Sequence, residues 1–141
     1  MSYREKTTWI SLLAMGAVYG WYFWKVMPVL AAGGGDTLHY AYLLGSTIAA
    51  VAILQIIPMI VIAMISPADA QAPQDEREKL YALKGTQAAY FVLVAGALFA
   101  SVAGIFFGAN AGMLANLILL SVVTSNMAKY LIEVAYFRFA A

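Results

Sequence analysis

From Gly85 to Ala128 the chain carries not one charged residue. Crossing the hydrocarbon core of a bilayer takes about 20 predominantly apolar residues, so this run alone has room for two spans. Thr7 to Trp24 is likewise uncharged, and between Asp36 and Asp69 only His39 can carry a charge. Soluble domains are about half apolar and a quarter charged. These 141 residues are 64% hydrophobic and 11% charged, with a mean hydropathy of +0.82. The sequence predicts an all-α, polytopic membrane four-helix bundle, one transmembrane domain over residues 1–141.

Spans are expected at 8–30, 39–65, 85–107 and 113–137. The first resembles a signal peptide in outline, but its apolar run is long, and Tyr19, Trp21, Tyr22 and Trp24 are poor neighbours for a small-residue cleavage site. It reads as a retained span, with Trp21 to Lys25 as an interfacial belt. Gly33-Gly34-Gly35 suits a turn, and Asp36 an N-cap for the second span. Pro58 predicts a kink within that span. Residues 66–74, with Pro67 and Pro73, have linker composition and predict a non-helical cytoplasmic segment.

A helix extension over 75–84 then opens the third span. Asp75 and Glu78 stand at capping-box spacing, and nothing from Asp75 to Phe107 would stop the helix. At 1.5 Å per residue it reaches ~50 Å against ~30 Å of hydrocarbon, so its first turns should project into water. Gly108-Ala109-Asn110-Ala111-Gly112 is a tight turn that returns the fourth span antiparallel. Arg4, Lys6, Arg77, Lys79, Lys84, Lys129 and Arg138 all fall on one side of this arrangement, and Lys25 on the other. The positive-inside rule then places both termini and the charged segment in the cytoplasm (N-in/C-in).

Helices in lipid associate by close packing and hydrogen bonds, since lipid is as apolar as leucine. Helix-packing candidates are Gly16 and Gly20 in the first span and the ridge Gly96, Ala100, Gly104, Gly108 in the third. They serve packing within the chain or a homodimer. Gln55, Gln87, Asn116, Ser121, Thr124, Ser125 and Asn126 should face neighbouring helices. Leu80, Leu83, Gln87, Tyr90, Val94 and Ala97 follow a three-four spacing that commits this face to the bundle, leaving Glu76, Arg77 and Lys84 outward.

Chemistry is thinly represented. A net charge of +1 gives no clustered basic face for direct nucleic-acid binding. Without cysteine there is no disulfide or thiolate chemistry. Asp36 and His39 alone fall short of the three or four ligands a metal site needs. No base and nucleophile stand at a spacing that argues acyl transfer. The reading is therefore no metal, no cofactor and no enzymatic activity. The charged block supplies the candidate partner-binding residues Asp75, Glu76, Arg77, Glu78, Lys79 and Lys84. A structural salt-bridge network is expected beside it from Lys84, Lys129, Glu133 and Arg138, with Glu133 meeting Lys84 or Lys129.

Asp75-Glu76-Arg77-Glu78, followed by Leu80, Ala82-Leu83-Lys84 and Tyr90, resembles the opening of the third helix in a family of small, uncharacterised bacterial inner-membrane proteins of four spans. Ala115-Asn116-Leu117-Ile118-Leu119-Leu120 and the basic, aromatic stretch from Lys129 to Arg138 extend the resemblance over the C-terminal half. It implies a multi-pass bacterial inner-membrane protein. Some members look to be encoded beside a small helix-turn-helix regulator, which implies a membrane partner that holds or releases a transcription factor. The function expected is thus non-enzymatic protein–protein interaction at the cytoplasmic face. The alternatives are an accessory subunit of a respiratory or photosynthetic membrane complex, or a dimeric small-solute transporter.

Overall fold

In the computed structural model, which describes residues 1–31 and 37–140, the long apolar runs are helical. In hydrocarbon a backbone must satisfy its own polar groups. Four long helices, α1 (Tyr3–Ala31), α2 (Thr37–Ile65), α4 (Glu76–Phe106) and α5 (Ala111–Phe139), are joined by a short α3 (Pro67–Gln71). That fifth helix corrects the expectation of a non-helical linker at 66–74. Pro67 occupies its first turn, where a missing N–H costs nothing and the fixed φ suits the helix. The glycine turn at 33–35 and the Asp36 cap lie outside the described residues.

Capping residues set the other boundaries. Asp75 is the N-cap of α4 and accepts a hydrogen bond from the Glu76 N–H at 2.7 Å. The reciprocal half of the capping box does not form, because the Glu78 side chain turns instead to Arg4. Gly108 takes φ +61° in the turn, a conformation glycine adopts without steric cost. Asn110 then caps α5 by accepting from the Met113 N–H at 2.8 Å.

The helices stack side by side in the order α2–α1–α5–α4, so α1 and α5 are central and α2 and α4 flank them. All neighbours run antiparallel: Tyr22 meets Asn116 at one end of α1 and α5, and Thr8 meets Glu133 at the other. The core joins Met15 and Tyr19 of α1, Val51 of α2 and Val123 of α5. The chain is an all-helical fold rich in apolar helices, consistent with a multi-pass membrane bundle. Among the described residues three helices are long and apolar enough to cross a membrane: Leu38–Ile65, Glu76–Phe106 and Ala111–Phe139.

α1 has the length of a span but interleaves Thr, Ser, Tyr and Trp with its aliphatic residues. Its polarity is hidden in protein: Glu5, Thr8, Ser11, Tyr19 and Tyr22 are all buried. Tyr22, assigned by its sequence context to the interfacial belt, is only 1% exposed and donates to Asn116 Oδ1 at 2.8 Å. Asn116 Nδ2 donates in turn to the Gly112 carbonyl at 2.9 Å. Tyr22→Phe leaves the Asn116 oxygen without its donor. We expect a stability loss of about 1 kcal/mol, inside the range of roughly 0.6–2 kcal/mol for interhelical bonds in lipid, read as the midpoint of unfolding in mixed SDS micelles. An unchanged midpoint would show that the bond contributes nothing.

Candidate functional site at the charged end

α4 packs on α5 through small side chains. Tyr81, Gly85, Ala100 and Ala103 are buried, and a Cβ built on Gly96 would lie 2.6 Å from Ser121 Cβ. A Cβ on Gly104 would come within 3.1 Å of Leu114. The apolar face running through Leu80, Leu83, Gln87, Tyr90, Val94 and Ala97 is exposed along its whole length, which overturns the expectation that it enters the bundle. Hydrophobicity does not sort inside from outside when the solvent is lipid; small residues that admit a neighbouring backbone do. Two packing candidates also lie elsewhere. Gly20 faces open space, and Gly108 serves the turn, with nothing within 4 Å of a Cβ at either position. Gly16 meets Met127 of α5.

Polar side chains divide in the same way. Asn116, Ser121 and Ser125 are buried, whereas Gln87 and Thr124 are exposed. Ser121 and Ser125 donate back to carbonyls of their own helix, those of Leu117 and Val122. They fit the small-residue seam and do not bridge helices.

The starts of α1 and α4 and the end of α5 meet at one end of the bundle, and the charges are organised there. Arg4 Nε lies 3.2 Å from Glu78 Oε2, tying α1 to α4. Arg138 Nε lies 3.0 Å from Glu5 Oε1, tying α5 to α1. Tyr81 stacks on Tyr136 with ring centroids 5.4 Å apart and sets its edge against Phe137, which closes α4 on α5. Lys79 pairs with Glu76 at 2.6 Å within an exposed turn, a contact worth at most about 1 kcal/mol. Arg77 and Lys84 are exposed and, among the described residues, form no ion pair. Lys84 therefore stands outside the network expected of it. Lys129 reaches Glu133 at 3.9 Å, within Coulombic range but beyond a hydrogen bond.

Behind this face lies a cavity of about 250 Å³. α1 lines it with Arg4, Thr8 and Ser11, and α5 with Lys129, Tyr130 and Glu133. The Glu133 carboxyl is set into its wall, 8% exposed, against the open surface of Gly85, where a Cβ would lie 2.9 Å from Glu133 Cγ. Arg4, Glu5, Thr8 and Gly85 are site residues that sequence reasoning missed. The first two were taken as a flanking charge cluster, and Gly85 as a weak point in helix propensity. Glu5 and Arg138 are far apart in the chain, and nothing in the spacing joins them; the buried acid at 133 on an otherwise apolar helix was the one available signal. His39 lies at the opposite end, its ring edge-on to Tyr40; Asp36, its proposed co-ligand, falls outside the described residues. No protein-family model, no curated protein and no solved structure matches this chain.

Proposed function

We propose that this is a four-span protein of a bacterial inner membrane, both termini and α3 on the cytoplasmic side, that works non-enzymatically by engaging a soluble protein. The orientation rests on the positive-inside rule, since every basic residue except Lys25 gathers at the end where α1 and α4 begin and α5 ends. One observation carries the function. The Arg4–Glu78 and Glu5–Arg138 pairs lock three helix ends together, while Arg77 and Lys84 remain exposed and unpaired on the resulting platform. Two cations held on a fixed scaffold suit an acidic surface on a partner. The resemblance described above suggests that the partner is a small transcription regulator held at the membrane.

The test is purification from native membranes in mild detergent at low salt. A soluble protein should co-purify with the parent chain, dissociate as salt screens the exposed charges, and be lost on Arg77→Ala/Lys84→Ala while the unfolding midpoint stays unchanged. Co-purification that survives the double substitution refutes this reading. The exposure of α2 supports a second one. It is strongly apolar and almost wholly uncovered, leaning only on α1 and α3, as a helix covered by a larger membrane assembly would. A stoichiometric integral-membrane partner in the same experiment favours that alternative.

A further inference from the structure

The cavity behind the charged end holds an acceptor and a donor that do not satisfy each other. No protein group donates to Glu133 Oε1, which is buried. Oε2 has one candidate donor, the Thr8 hydroxyl at 3.3 Å, but that hydroxyl lies closer, at 2.9 Å, to the Arg4 carbonyl. A hydroxyl has a single hydrogen, so it serves one of the two. Lys129 Nζ, 3.9 Å from Oε1, is too distant for a hydrogen bond. A buried polar atom left without a partner is costly, and this one faces a cavity roomy enough for a small molecule.

The charges around it select the ligand. Arg4 and Glu78 line the same cavity and neutralise each other at 3.2 Å, leaving Lys129 and Glu133 as one cation and one anion open to a guest. A simple cation meets Glu133 but is opposed by Lys129, and a simple anion meets the reverse. A molecule carrying both an ammonium and an anionic group satisfies both side chains at once. We propose that this cavity binds a small zwitterion, its ammonium donating to Glu133 Oε1 and its phosphate or carboxylate accepting from Lys129. The ammonium must carry N–H groups, because the carboxyl oxygen needs a donor; a quaternary amine supplies none.

Two sources share this chemistry: an ethanolamine phospholipid headgroup reaching in from the bilayer, and a free amino acid or phosphoethanolamine from the aqueous side. The cavity lies near the end of an apolar helix and takes one apolar lining residue from each of α2 and α4, Met59 and Ala82, two helices that do not pack substantially on each other.

The full chain, reconstituted in nanodiscs of mixed phosphatidylethanolamine, phosphatidylcholine and phosphatidylglycerol with matched acyl chains, is released for native mass spectrometry. In parallel it is titrated in phosphatidylcholine nanodiscs with phosphoethanolamine and glycine. If the source is lipid, phosphatidylethanolamine is retained at least ten-fold over the other two. If it is soluble, phosphoethanolamine or glycine binds saturably without lipid discrimination. Either signal should fall at least ten-fold in Glu133→Gln and in Lys129→Gln, and persist in Lys25→Gln at the far end. Lys129 is partly exposed, so its substitution keeps the test valid if Glu133→Gln fails to fold. Equal retention of the three lipids with no binding of either soluble zwitterion overturns the proposal, as does binding that both cavity variants preserve. Loss of the soluble protein partner in Arg77→Ala/Lys84→Ala, with ligand retention intact, separates this site from the docking face.

Discussion

Gly96→Ala will loosen α4 from α5 and cost about 2–3 kcal/mol, the upper part of the range for overpacking a close-fitted interior. The added Cβ is fixed to the backbone and would sit 2.6 Å from Ser121 Cβ, so no rotamer change relieves the overlap. The helices themselves must separate, and the dispersion contacts along the Gly96–Ala100–Gly104 seam weaken with distance. The intrinsic preference of helices for alanine over glycine, about 1 kcal/mol, is too small to compensate. The measurement is the unfolding midpoint in mixed SDS micelles. A second substitution sharpens it: Ser121→Gly in the same chain removes the atoms that clash, and should restore stability to within about 1 kcal/mol of the parent, the residual reflecting glycine's cost in a helix. Parental stability of Gly96→Ala alone, or failure of the paired change to rescue, contradicts the packing described here.

Gly85→Ala should be at least as damaging, and it reaches the site. A Cβ there would lie 2.9 Å from the Lys129 carbonyl oxygen and 2.9 Å from Glu133 Cγ. Glu133 can swing away, but the carbonyl belongs to the backbone of α5 and cannot. We expect a loss of about 2–3 kcal/mol together with displacement of the Glu133 carboxyl, so that binding of phosphatidylethanolamine or phosphoethanolamine drops in whatever fraction remains folded. Gly20→Ala is the matched control. Its Cβ meets nothing within 4 Å, so the exchange should be neutral or stabilising by up to about 1 kcal/mol. Equal effects at Gly85 and Gly20 would mean that both report helix propensity alone.

The contrast between these glycines shows what the sequence could and could not reveal. Long apolar runs and turn chemistry announce the four long helices. Asp75 marks the start of α4 because an acidic cap before a helix-forming run is a local signal. The face that each helix buries is a different matter. In water, the three-four pattern of Leu80, Leu83 and Tyr90 would mark the interior; in lipid it marks nothing, and the small residues at 85, 96, 100 and 104 hold the information. α3 was hidden by its composition, although Ser66-Pro67 is an ordinary way to begin a helix. The Glu133 site was legible only as an isolated acid near a span end. Its surroundings come from Thr8 and Arg4, which no local spacing could place beside it.

The central position of α1 has a consequence for how the protein is made. The acceptor for its Tyr22 hydroxyl arrives 94 residues later, and the carboxyl beside its Thr8 comes 125 residues later. At translation speeds of about 5–20 residues per second, those intervals span roughly 5 to 25 s. Through that time α1 has entered, or is waiting at, the bilayer with its polar stripe uncovered on the side that α5 will occupy, and α2 covers only its other flank. The helix nearest the start of this chain is therefore completed by the last one to leave the ribosome.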